Sequence, residues 1–157
     1  MKKLFTPIEV GKLKLKNRVV MTAMDLSYTA EGHVTDRVTA FYEERARGGA
    51  GLIIVGGCKI DEYSGAQQMM DISDDRFIPG LQRLTGGLHR YNSYVAAQLF
   101  HAGKYAHSSE IGRQPIAPSA IASKFTREEP REMTKEDIKR TVENFARAAE
   151  RAKRAGF

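Results

Sequence analysis

The sequence predicts an α/β fold in which parallel strands alternate with helices behind an N-terminal hairpin. Three observations carry this. A short stretch around Gly11 alternates apolar and polar residues, "NRVVMTAM", "GLIIVGG" and "YVAAQLFHAG" are apolar runs of strand length, and each run is followed by an amphipathic stretch of helical period. All three strands read as buried, and strands that are each followed by a helix pair in parallel through right-handed crossovers. The pattern suits either an open doubly wound sheet or a closed (β/α)8 barrel, and a barrel needs about 250 residues where this chain offers three units.

In "IEVGKLKLKN", Ile8 and Val10 precede the turn at Gly11 and Lys12, and Leu13 and Leu15 follow it, which predicts the hairpin. "NRVVMTAM" is the first strand of the main fold. "HVTDRVTAFYEERARGG" predicts a helix with Thr35 as N-cap, Val38, Phe41 and Tyr42 on its apolar face and Gly48 as its stop. "GLIIVGG" is a second strand, bounded by glycines and read as fully buried. "SDDRFIPGLQRLTGGLHRY" predicts a helix from Phe77, Leu81, Leu84 and Leu88 at i, i+4, i+7 and i+11, with Pro79 in the first turn and Gly86-Gly87 weakening it. "YVAAQLFHAG" is the third strand. After a long loop whose prolines argue against a helix, "TKEDIKRTVENFARAAERAKRAG" predicts the clearest helix. Its apolar stripe is Ile138, Val142, Phe145, Ala149 and Ala152, Thr134 with Asp137 forms a capping box, and Gly156 ends it.

At 157 residues the chain fits one domain, and its 41% apolar and 28% charged residues are those of a globular protein. No apolar run is long enough to cross a bilayer, and the N-terminus lacks the uninterrupted apolar region of a secretory signal, so no membrane association and a cytoplasmic location are expected. The single cysteine, Cys58, has no partner for an intramolecular disulfide and makes no cysteine metal site alone. His101 and His107 lie six apart, which is not a zinc spacing, so no metal is expected. The net charge of +6 is spread among acidic residues, as in "TREEPREMTKEDIKR", and reads as a solvated surface rather than a nucleic-acid footprint.

In both α/β architectures ligands collect at the C-terminal ends of the strands. Those ends read "MTAMD", "GGCK" and "QLFHAGK". They offer the Thr22 hydroxyl, the backbone around Ala23, the thioether of Met24, glycines that let a flat ring approach, and the Gln98 amide with a donor and an acceptor on one plane. Gln98 interrupts an apolar run, and burying an unpaired amide costs about 1–3 kcal/mol, so a ligand for it is expected. The set suits a planar heterocycle with a mixed donor and acceptor edge. A non-catalytic α/β binding module is the rival reading, though it has no need of Thr22, Gly57 and Gln98 together at three successive strand ends.

"LFTPIEVGKLKLKNRVVMTAM", "GLIIVGG", "AAQLFHAGK" and "PIAPSA", in this order and spacing, resemble the Old Yellow Enzyme family of FMN-dependent oxidoreductases, in particular its branch of bacterial NADH:flavin oxidoreductases, 2,4-dienoyl-CoA reductases and enoate reductases. The resemblance covers essentially the whole chain. It implies the N-terminal portion of a (β/α)8 TIM barrel with a hairpin cap and about three βα units, residues 1–157 being part of one FMN-binding domain that stops before its fourth strand. It further implies FMN at the barrel mouth, with Thr22, Ala23 and Met24 lining it, Gly57 against it and Gln98 on the polar edge of its pyrimidine ring.

Ala23 departs from the proline common at its place, and Asp25 replaces a cysteine that tunes the flavin in some branches. The implied reaction passes hydride from NADH or NADPH through FMN to the β-carbon of an electron-poor alkene, an unsaturated carbonyl or acyl-CoA compound. Its substrate donors and proton donor follow the fourth strand, so no catalytic residue is expected in this chain, which alone is expected to be inactive. A 4Fe-4S cluster belongs, if anywhere, to the missing C-terminal part, because one cysteine cannot hold it. A homo-oligomer is expected.

Overall fold

The computed structural model describes residues 2–157. After a 3-10 turn at Lys2–Phe5, the strands β1 (Ile8–Val10) and β2 (Leu13–Leu15) form the expected antiparallel hairpin, with Ile8 opposite Leu15. The main sheet is parallel throughout. β3 (Val20–Met21) leads to α1 (Asp36–Arg47), then come β4 (Leu52–Lys59), β5 (Met70–Asp71), α2 (Ile78–His89) and β6 (Tyr94–Phe100). β4 is central: β3 pairs with its start and β5 with its end along one edge, and β6 pairs along the other. The sheet does not close, as befits part of a (β/α)8 barrel.

The helices form where the apolar period places them. In α1, Val38, Tyr42 and Ala46 recur at i, i+4 and i+8 and are buried, and the Thr35 hydroxyl accepts the Val38 N–H at 3.3 Å. Gly49, at φ +101°, makes the left-handed exit, while Gly48 keeps a right-handed conformation. α2 follows a 3-10 turn at Asp75–Phe77, carries Pro79 in its first turn and buries Leu81, Leu84 and Leu88 completely. These residues pack with Ile53, Val55 and Cys58 of β4 to form the core on the outward face of the sheet. Burial pushes the Cys58 thiol up to about 12, which makes it unreactive.

Three expectations need correction. The strands are not all buried: Val20 and Tyr94 are exposed, because only the outward face of the sheet carries helices. The long loop is not free of secondary structure. A single turn, α3 (Ser108–Ile111), precedes its prolines and ends at Gly112 with φ +70°, and β7 (Ile116–Ala117) pairs in parallel with β8 (Arg131–Glu132).

The third correction concerns α4 (Lys135–Arg154), whose predicted stripe is rotated. Ile138, Val142, Phe145 and Ala149 are exposed, and of the stripe only Ala152 is buried, alongside Asp137 and Ala148. Polar contacts choose that face. Asn144 donates to Asp61, Arg151 and Arg154 pair with Asp75, and the Thr85 hydroxyl donates to the Ala155 carbonyl. The capping box is as expected, with Thr134 and Asp137 exchanging hydrogen bonds, and the guanidinium groups of Arg131 and Arg140 hold the Asp137 carboxyl well below the usual carboxylate range. Thr134→Ala removes one N-cap acceptor and is expected to lower unfolding free energy by about 1 kcal/mol, read as the urea midpoint at unchanged slope. Among the described residues no helix is long and apolar enough to cross a membrane.

Candidate functional site

The ends of β3, β4 and β6 converge on one point, and that point is Gly56. A methyl group built on Gly56 would stand 2.7 Å from the Gln98 Cβ, 2.9 Å from its Oε1 and 3.0 Å from the Ala23 Cβ. Ala23 and Gln98, expected at the ligand, are thus brought together over the strip of buried backbone at Gly56. The register of β4 against β6 shifts between Val55 and Cys58, so the Gly56-Gly57 pair, joined by a cis peptide, lies at an irregularity of the ladder.

The other expected residues fall around this strip in different ways. Thr22 and Met24 are exposed beyond the end of β3. Gly57 lies one step along β4: a methyl group there would meet the Phe100 Cβ at 3.0 Å and the Met69 methyl at 3.2 Å. Gln98 is exposed, which corrects the argument that a buried amide demands a ligand; its strand face is open, and its amide is free to meet one. Asp25 is exposed, and its carboxylate accepts the Ser27 N–H at 3.1 Å and the Ser27 hydroxyl at 3.3 Å, closing a local turn.

Two features behind the strip escaped the sequence reading. The Tyr42 hydroxyl, at the end of a side chain with no exposed surface, donates to the Met24 carbonyl at 3.4 Å and accepts the Gly56 N–H at 3.5 Å. Burial pushes this phenol up to about 12, so it keeps its proton. An aromatic at helical spacing reads as core, and nothing in the sequence marks its oxygen. The second feature is a buried polar knot where β4 and β6 end. Asp61 accepts the Tyr63 N–H, the Ser64 hydroxyl and the Asn144 amide.

His101 lies beside the knot. Its Nδ1 accepts the Gly103 N–H at 3.0 Å, which leaves the proton on Nε2, 3.8 Å from Asp61 Oδ1. Burial lowers its pKa, and Asp61 opposes that shift. His101 therefore orders the loop that leaves β6. His107 sits apart from it, beside Glu128.

The exposed Gln98 amide and the exposed Thr22 hydroxyl offer donors and acceptors to the polar edge of a flat heteroaromatic ring. The missing side chain of the buried Gly56 lets Gln98 and Ala23 pack close together over β4.

Comparison with known proteins identifies the family. The sequence pattern of the NADH:flavin oxidoreductase / NADH oxidase family matches residues 3–157. A metal reductase of Desulforamulus reducens is 53% identical over 154 residues, which are 98% of this chain and 23% of that protein. An NADPH dehydrogenase of Listeria monocytogenes is 40% identical over 161 residues, covering 100% of this chain and 46% of that one. Among solved structures, a 2-naphthoyl-CoA reductase in complex with 2-naphthoyl-CoA superimposes with a TM-score of 0.93 at 28% identity, over 99% of this chain and 26% of that one. The chain thus spans between about a quarter and a half of these relatives. With its open parallel sheet and its hairpin, it belongs to the NADH:flavin oxidoreductase / NADH oxidase family, of which it represents the N-terminal part.

Proposed function

We propose that this chain contributes the first three βα units and one wall of the cofactor site to an FMN-dependent oxidoreductase, which reduces an electron-poor alkene, an unsaturated carbonyl or acyl-CoA compound, at the expense of NADH or NADPH. The observation that carries the reading is the strip at Gly56, with Ala23 and Gln98 on either side of it. FMN, when bound, would supply the hydride chemistry by accepting a hydride from the nicotinamide and passing one to the substrate. The residues of this chain do the binding. Gln98 would donate to and accept from the pyrimidine edge of the ring, and Thr22, Ala23 and Met24 would line it at the end of β3. Gly57, beside Phe100 on the same face of β6 as Gln98, would lie against the ring, and Gly56 would let Gln98 and Ala23 close in next to it. The same reading makes the whole protein a homo-oligomer whose substrate donors lie outside these residues.

The test is direct. The full-length protein carrying this segment, purified, is expected to show flavin absorbance in the visible and to release FMN on denaturation. A colourless protein whose melting temperature FMN does not raise would remove the reading. Gln98→Leu keeps the size of the side chain and deletes its donor and acceptor. It is expected to weaken FMN binding by about tenfold, the loss of one to two hydrogen bonds, with little change in melting temperature because Gln98 is exposed. Equal affinities in a fluorescence titration would take Gln98 out of the site.

A further inference from the structure

We infer that Tyr42 is a positioning residue of the flavin site: its hydroxyl spans the backbone of Met24 and Gly56, and so fixes the spacing of two strand-end segments beyond the reach of the sheet's own hydrogen bonds. The inference rests on the FMN reading above.

The ladder explains why such a link is needed. β3 pairs with β4 only at Val20↔Leu52 and Met21↔Ile53, so the segment from Thr22 onward has no strand partner to hold it. On the other edge the register of β4 breaks between Val55 and Cys58, at Gly56. Two backbone groups are therefore left near each other without ladder bonds, the Met24 carbonyl and the Gly56 N–H. The Tyr42 oxygen meets both, at 3.4 Å and 3.5 Å, by donating to one and accepting from the other. No other side chain hydroxyl among the described residues reaches either group.

The position of the oxygen is itself fixed. Tyr42 lies on the buried face of α1 between Val38 and Ala46, has no exposed surface, and packs edge-on against Phe41 with ring centroids 5.4 Å apart. A helix with a capped N-terminus thus carries a rigid arm to the two strand ends. A phenylalanine would fill the same volume, so the hydroxyl is the part that filling the core does not explain. Its proton stays in place across the neutral range, so the donor role toward Met24 does not lapse with pH.

The test is Tyr42→Phe in the full-length protein. The dissociation constant of FMN is expected to rise about threefold, as for loss of two long hydrogen bonds rather than two short ones. The visible circular dichroism and absorption maximum of the remaining bound flavin are expected to move, since the strip has shifted beneath it. A variant that melts earlier but binds FMN with unchanged affinity and an unchanged flavin spectrum would show that Tyr42 is core and nothing more. Should the variant not fold, amide exchange in the wild-type protein decides. The Gly56 N–H is expected to be protected, and exchange at the rate of an unstructured peptide would overturn the link. A wild-type protein that takes up no FMN fails the cofactor reading itself, a result distinct from wild-type binding that Tyr42→Phe leaves untouched.

Discussion

Gly56→Ala is expected to cost FMN affinity more than any other single-methyl change in the chain. The added carbon would lie 2.7 Å from the Gln98 Cβ and 3.0 Å from the Ala23 Cβ. Neither neighbour is the loose end of a long side chain; each Cβ moves only if its strand moves. Overpacking of this kind costs about 1–3 kcal/mol, and 1.4 kcal/mol is a factor of ten, so a rise of about 10- to 100-fold in the dissociation constant follows. The methyl group would displace Gln98 and Ala23, the residues placed at the ring, so affinity is expected to fall along with stability. Gly57→Ala is the matched comparison. Its methyl group would meet one strand Cβ, that of Phe100, at 3.0 Å and the flexible Met69 methyl at 3.2 Å, with no contact as short as 2.7 Å, so a smaller loss is expected. Fluorescence titration of both variants with FMN checks the contrast. Equal affinities for the two would dissolve the assignment of the strip to Gly56.

That contrast also shows where the sequence could be read and where it could not. "GLIIVGG" announces a buried strand with glycines at its ligand end, but which of the two glycines faces the strand-end residues depends on a register shift between Val55 and Cys58. A shift of one residue reverses the faces of a strand, and the letters do not record it. Gln98 was legible because a polar residue interrupts an apolar run. The reason first given for its importance fails, since its face of β6 is open rather than buried; what marks it is its place beside Gly56.

The helices tell a similar story. In α1 the period and Thr35 identify the buried face, yet the oxygen of Tyr42 is invisible in a pattern that registers only apolar bulk. In α4 two neighbouring faces compete, Ile138 with Val142 and Phe145 against Asp137 with Asn144 and Ala148. Hydrophobicity favours the first. The second wins because its polar groups find partners: Asn144 at Asp61, and Asp137 at Thr134, Arg131 and Arg140. The partners of Asp137 are local and one of them was legible as the capping box, but the partner of Asn144 lies 83 residues away, and periodicity carries no trace of it.

The largest loss of stability is expected from Asp61→Ala. Asp61 is 6% exposed and holds three donors: the Tyr63 N–H at 3.0 Å, the Ser64 hydroxyl at 2.7 Å and the Asn144 amide at 3.1 Å. The Ser64 oxygen in turn accepts the N–H groups of Ile60 and Asp61, and the Ser64 carbonyl accepts the Ala102 N–H at 3.0 Å. One carboxylate therefore ties the exit of β4, the exit of β6 and the middle of α4. Removing it leaves buried donors without acceptors, and no apolar group of matching shape takes its place. Each orphaned group costs about 1–3 kcal/mol, and because the three act as one network the total is expected near 3 kcal/mol rather than their sum. Urea unfolding of the full-length variant measures it, and a loss below about 0.5 kcal/mol would mean that the knot contributes no more than a surface turn. A double-mutant cycle with Asn144→Ala isolates the bond to α4, where additive losses would deny the coupling. His101 supplies an independent readout. Burial already lowers its pKa and Asp61 opposes that shift, so the variant is expected to titrate lower still, with the cation further disfavoured as the only nearby carboxylate in that balance is lost. An upward move of the His101 midpoint by NMR would contradict this account of the knot.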